Sequence, residues 1–150
     1  MRKVLFVCGH NSGRSQMAQA WMNHLCPERF YAQSAGINPA ASLNELVVEV
    51  MHEEGIDISR NRPRSVFDVY KSGETFSYII TVCDQASAEK CPVFLGLIRQ
   101  MHWSFPDPSA LAGTRDEKLE QTRRIRDSIR EKVLAWCSQM SGAEETNQAP

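Results

Sequence analysis

Cys8 and Arg14 bracket the stretch Cys8-Gly9-His10-Asn11-Ser12-Gly13-Arg14-Ser15, and side chains of these types at this spacing point to one kind of chemistry. A thiolate is a nucleophile, and a guanidinium grips an oxyanion through a planar fork of N–H donors. Two glycines among small residues suit a tight loop. Where such a loop runs into a helix, unpaired N–H groups and the positive end of the helix dipole face whatever lies above it. The stretch therefore reads as an anion-binding loop. Gly9, His10, Asn11, Ser12, Gly13, Arg14 and Ser15 would form the cradle, with Cys8 beneath the bound oxyanion. The same surroundings favour the thiolate form of Cys8, and Ser15 is placed to hydrogen-bond it. Asn11 is expected to fix the loop's shape through side-chain bonds to backbone, and His10 to face solvent.

Elements must hold this loop in place. The run Val4-Leu5-Phe6-Val7 is short, continuous and β-favouring, as in a central parallel strand buried on both faces. Ser15 to Leu25 reads as a helix with Met17, Ala18, Trp21, Met22 and Leu25 on one face, ended by Pro27. Phe30 to Gln33 suits a second strand. A helix follows from about Ser42 to Glu54, with Ser42 as N-cap, Glu45 completing a capping box and Gly55 as the stop. Residues Asp57 to Gly73, interrupted by Pro63, read as a surface segment with one helical turn. Tyr78 to Val82 is the strongest strand signal and ends at Cys83. A shorter strand around Gln100 to Trp103 leads into Phe105-Pro106-Asp107-Pro108. A last helix is expected from about Arg115 to Cys137, its Arg123, Arg124, Arg126 and Arg130 interleaved with acids as a solvated face. Residues 141–150 read as a disordered tail after a single domain over 1–140.

Alternating strands and helices imply an α/β fold, a doubly wound four-stranded parallel sheet flanked by helices, whose ligand site lies at the carboxyl ends of the strands. Cys8, Cys83 and Asp107 follow the first, third and fourth strands and so fall on one edge. One hundred and fifty residues with a formal charge of −1 give no general reason to expect nucleic acid or an anionic membrane as partner, so affinity for anions must be local. No membrane span or signal peptide is read, and the chain is expected in the cytoplasm as a monomer. Five cysteines, an odd number, argue in a reducing compartment against a disulfide framework, and Cys26 and Cys137 read as buried thiols on helices. Cys83 and Cys91 with His102 do not have zinc-knuckle spacing and lack a fourth ligand, so no metal is expected.

The Cys-x5-Arg-Ser loop at the end of the first strand and the later HWSFPDPS segment resemble the anion loop and acid loop of the low-molecular-weight protein tyrosine phosphatase superfamily. Within it, HNSGRSQMAQAW, SAGI, EEGIDIS and TVCDQASAEKCPVF resemble the thiol-dependent, thioredoxin-coupled arsenate reductases, over Met1 to about Gln139. The resemblance implies reduction of arsenate to arsenite. Cys8 would attack arsenic, Arg14 would hold its oxygens and Asp107 would act as general acid. Cys83 would then attack Cys8, and Cys91 would resolve the Cys8–Cys83 bond into Cys83–Cys91. No tightly bound cofactor is implied. An external thiol reductant would restore the dithiol, with thioredoxin preferred and glutaredoxin with glutathione as the alternative.

Departures from that pattern are informative. Seven residues separate Cys83 from Cys91 where relatives commonly have six. On a continuous helix this pair would lie about 12 Å apart along the axis, whereas a disulfide wants Cα atoms within ~7 Å, so the segment must unwind to bridge them. Gly13 stands where some relatives carry another cysteine. Gln19 replaces an acid of relatives that bind potassium, so that ion is not expected. Two other functions share parts of the constellation. A phosphatase acting on phosphotyrosine would use Cys8, Arg14 and Asp107 without Cys83 or Cys91, but His102-Trp103-Ser104-Phe105 supplies no tyrosine pair to clamp an aromatic ring. A non-catalytic oxyanion-binding module would need neither Asp107 nor the thiol pair.

Overall fold

The computed structural model describes residues 1–84 and 88–148, with side chains as far as residue 141. Strands β1 (Arg2–Cys8), β2 (Phe30–Gly36), β3 (Tyr78–Thr81) and β4 (Arg99–His102) form one sheet in the order β2-β1-β3-β4, all parallel. The apolar run Val4–Val7 is wholly buried because β1 pairs on both sides and is covered on both faces. Successive residues alternate between two cores. Val4 and Phe6 face the helices α1 (Arg14–Leu25), α2 (Glu45–Glu53) and α4 (Arg115–Gln148), while Leu5 and Val7 face α3 (Val66–Lys71) with Phe76 and Phe94. The chain leaves β1 toward β2 and later returns to β3 on the other side. The crevice at the carboxyl ends of β1 and β3 is thus the switch point at which α/β sheets bind ligands.

Several elements differ from their sequence reading. β2 runs three residues beyond Gln33, through Ser34-Ala35-Gly36. Small residues are weak strand formers, but here a larger one would collide with the anion loop: a Cβ at Gly36 would sit 2.8 Å from the Asn11 backbone nitrogen. Helix α2 begins at Glu45, with Asn44 rather than Ser42 as its N-cap, since the Asn44 side chain accepts from the Leu46 and Val47 N–H groups. The α4 backbone continues to Gln148, through most of the stretch read as a tail, and residues 149 and 150 lie outside the described residues. Nor is the arginine run of α4 only a solvated face. Arg126 is 6% exposed and binds the Val50 carbonyl (2.9 Å), Glu53 (2.9 Å), Glu54 (3.2 Å) and Asp127 (2.8 Å), tying α4 to α2. The Arg123 hydrogen bond to Glu53, supported by Arg126 against desolvation, holds that carboxyl below its ordinary pKa.

Cys26 and Cys137 are buried as expected, but they are joined in a disulfide with Cα atoms 6.7 Å apart. Packing of α1 against α4 brings together residues 111 positions apart in sequence, a proximity that spacing along the chain does not reveal. A bridge closing a loop of this length restricts the unfolded chain strongly. Cys26→Ser, or reduction of the bond, should lower unfolding free energy by about 4–5 kcal/mol. Urea unfolding of the wild type and the variant, with and without reductant, checks this. Reductant should shift the wild-type midpoint and leave that of Cys26→Ser in place.

Candidate active site

The loop between β1 and α1 is held by its carbonyls. Those of Cys8, Gly9, His10 and Ser12 accept from the backbone N–H groups of Ile37 (3.0 Å), Asn38 (2.8 Å), Ala40 (2.9 Å) and Asn44 (3.0 Å). The Asn11 carbonyl accepts from Gln16 Nε2 (3.1 Å) and that of Gly13 from the Met17 N–H (3.0 Å). All six carbonyls from Cys8 to Gly13 are thereby engaged by groups outside or behind the loop. In a planar trans peptide the N–H points opposite to the C=O, so carbonyls drawn away turn N–H groups toward the concave side. An anion finds donors there.

Cys8 ends β1 and is nearly buried. Its Sγ accepts from the Asn11 N–H (3.1 Å) and lies 2.8 Å from Ser15 Oγ. Ser15 Oγ in turn accepts from Asn11 Nδ2 (2.8 Å), which leaves the serine hydroxyl hydrogen free to donate to the sulfur. Two donors thus converge on the sulfur. Asn11 makes this geometry possible at a left-handed φ of +52°, a conformation that non-glycine residues seldom adopt. Its Oδ1 accepts from Gln16 Nε2 (3.2 Å) and from the Arg64 N–H (3.0 Å), and Asn61 Nδ2 donates to Gln16 Oε1 (3.2 Å). The expected shaping role of Asn11 thus extends to the segment around residues 61–64, which the sequence reading left as plain surface. His10 is exposed, with Nδ1 3.0 Å from the Asn38 carbonyl.

Arg14, at the first position of α1, donates to the Phe105 carbonyl (3.2 Å), and its Nη2 lies 3.7 Å from Asp107 Oδ2. This brings the loop before Pro108 over the anion loop. Gly13 permits the approach, because a Cβ there would lie 3.1 Å from Pro108 Cγ. Cys8, His10, Ser12, Arg14 and Asp107 line one narrow cleft. Asp107 Oδ1 accepts from the Ser109 N–H (2.9 Å) and hydroxyl (2.8 Å). Burial pushes the Asp107 pKa up, but the two Ser109 bonds with the Arg14 and His10 charges outweigh it, and the carboxyl titrates below its ordinary range.

The three cysteines outside the disulfide, Cys8, Cys83 and Cys91, are free. Burial, with the Cys8 charge adding to it and Arg14 opposing, pushes the Cys83 thiol up to about 11. Burial and the proximity of Cys83 push Cys91 likewise to about 11. Between the two, residues 85–87 lie outside the described residues. Beyond them the Ala88 N–H donates to the Asp84 carbonyl (3.0 Å) and the Cys91 N–H to that of Ala88 (3.1 Å). His102 Nδ1 lies 2.7 Å from Thr81 Oγ1, and Gln19 Oε1 accepts from the Ser34 hydroxyl. Among the described residues no three His, Cys, Asp or Glu side chains cluster as a metal site, and no helix is long and apolar enough to cross a membrane.

A strand-end cysteine under an anion loop, with an arginine at the helix start and an Asp-Pro loop above, marks a phosphatase-like class of protein. The chain belongs to the low molecular weight phosphotyrosine protein phosphatase family, which it matches over residues 3–146. Within that family it is similar to arsenate reductases. It is 36% identical over 133 residues to that of Bacillus licheniformis, covering 88% of this chain and 92% of the relative. The crystal structure of the Archaeoglobus fulgidus arsenate reductase superposes with a TM-score of 0.71 at 32% identity, covering 89% of this chain and 97% of the other. A thioredoxin-dependent arsenate reductase of Corynebacterium glutamicum superposes at a TM-score of 0.61 and 27% identity, over 89% of this chain and 61% of that one.

Proposed function

We propose that this protein reduces arsenate to arsenite by a relay through Cys8, Cys83 and Cys91. The Cys8 thiolate attacks arsenic, an As–S bond forms, and the departing oxygen takes a proton from Asp107 and leaves as water. Arg14 and the loop N–H groups hold the remaining oxygens. Cys83 then attacks Cys8 Sγ. A disulfide forms, the As–S electron pair goes to arsenic, and arsenite leaves. Cys91 attacks Cys83, which frees Cys8 and leaves Cys83–Cys91 for an external dithiol to reduce.

The observation that carries this reading is that Cys8, Cys83 and Cys91 are free, with Cys8 and Cys83 buried in one cluster at the carboxyl ends of the paired strands β1 and β3. A protein reductant of the thioredoxin type is supported by the surface beside Cys91, where Val93 is 78% and Leu95 83% exposed and Leu97 fully so. Shared use of Cys8, Arg14 and Asp107 also supports hydrolysis of aryl phosphates as a side activity.

The test separates the two chemistries. Cys83→Ser and Cys91→Ser should each abolish multiple-turnover arsenite production with thioredoxin as donor, while aryl phosphate hydrolysis stays within a few-fold of wild type. Equal loss of both activities would sink the relay. Arsenite formation with glutaredoxin and glutathione but not with thioredoxin would sink the donor assignment.

A further inference from the structure

Strand β2 lies at the edge of the sheet, so the backbone groups on its outer side have no strand to pair with. Ala32, Ser34 and Gly36 carry those groups. Asn23 serves the first, accepting from the Ala32 N–H (2.8 Å) and donating to its carbonyl (3.0 Å). Arg64 serves the other two: its Nε donates to the Ser34 carbonyl (3.0 Å), and its own carbonyl accepts from the Gly36 N–H (2.8 Å). Alongside, Gly36 and Ser65 form an isolated parallel bridge. Residue 64 is thus fixed to β2 at two points, by main chain and by guanidinium. Its third bond leaves the strand, since the Arg64 N–H donates to Asn11 Oδ1 (3.0 Å).

The direction of that N–H matters because of what Asn11 does. Asn11 is fully buried and is the one non-glycine residue at positive φ among the described residues. Its N–H meets Cys8 Sγ (3.1 Å) and its Nδ2 meets Ser15 Oγ (2.8 Å). We infer that Arg64 is a positioning residue for Cys8: the guanidinium, clamped on the Ser34 carbonyl, aims the Arg64 N–H at Asn11 Oδ1, and Asn11 so held keeps its own N–H on the sulfur. Gln16 Nε2 shares that oxygen at 3.2 Å, but Gln16 belongs to α1, whereas Arg64 ties the loop to β2. Arg64 does not line the cleft with Cys8, Arg14 and Asp107, so its influence on the reaction must pass through Asn11.

Hydrolysis of an aryl phosphate is the readout, because it needs Cys8 and not the thiol relay. The inference rests on Cys8 as nucleophile, which Cys8→Ser tests separately. Arg64→Met keeps the backbone N–H and removes the clamp. It should lower kcat about tenfold and change KM by about twofold or less, since the N–H at issue meets the sulfur rather than the substrate. Arg64→Lys, which keeps a donor for the Ser34 carbonyl in a different geometry, should lose only about two- to threefold. Asn11→Gly accepts the left-handed φ without strain but offers no Oδ1, and in that background Arg64→Met should change kcat by less than about twofold. Wild-type kcat in Arg64→Met, a loss confined to KM, or losses that multiply in the double variant would overturn the assignment. If Arg64→Met does not fold, the same cycle with Arg64→Lys decides by the same rule.

Discussion

Cys8→Ser should reduce no arsenate and hydrolyse no aryl phosphate, a loss on the order of 10⁶-fold in kcat, as for removal of a catalytic nucleophile. A serine hydroxyl is not ionised near neutral pH, and the neighbouring Asn11 N–H and Ser15 hydroxyl cannot supply the nucleophile that this side chain lacks. The change is nearly isosteric, and the six carbonyl bonds that shape the loop do not involve the sulfur. The variant should therefore still bind phosphate at Arg14 and the loop N–H groups, as read by protection against thermal unfolding. Activity in this protein would refute the nucleophile assignment, and loss of phosphate binding together with activity would point to a loop that had not formed.

The second large effect falls on Asp107. Asp107→Asn should slow aryl phosphate hydrolysis by ~10²–10⁴-fold, the usual worth of a positioned general acid. The pH dependence makes the role specific. In the free protein the Asp107 carboxyl is held below its ordinary range by Ser109, Arg14 and His10, in spite of burial, so its acid form is scarce at neutral pH. Since the reactive state needs that proton, kcat/KM should fall as pH rises above this lowered value. A bound dianion engages Arg14 and adds its own negative charge, which raises the Asp107 pKa in the complex. The corresponding limb of the kcat profile should therefore lie at higher pH than that of kcat/KM, and Asp107→Asn should lack it in both. Identical limbs in both profiles, or a limb that survives in Asp107→Asn, would assign the proton to another group.

Much of this site is legible in local sequence because its parts are local. Val4–Val7 announces a buried central strand by composition alone, and the glycines, small residues and Arg14 that follow announce a loop opening a helix. Asp107 and Cys83 could be placed on the same edge because strand order fixes where strands end. What was not legible depends on atoms brought together from far away. The second strand reads as ending at Gln33 although it runs on through Ser34-Ala35-Gly36, where Gly36 must be small because the Asn11 backbone packs on it. Arg64, in a polar segment with no periodicity, serves Asn11 through its backbone N–H, which no side-chain pattern can reveal. The Cys26–Cys137 bond depends on how two helices pack, and the cap at Asn44 on which of two neighbouring polar side chains meets the free N–H groups.

The high pKa values of Cys83 and Cys91 bear on survival between catalytic events. Peroxides and electrophiles attack thiolates far faster than thiols, and at about 11 both side chains are almost wholly protonated at neutral pH. Neither Cys83 nor Cys91 therefore presents a thiolate to oxidants in the resting molecule. Kept as a thiol, Cys83 would remain able to condense with a sulfenic acid formed on Cys8 before oxidation there became irreversible. The burial that raises both pKa values is thus also a form of chemical storage.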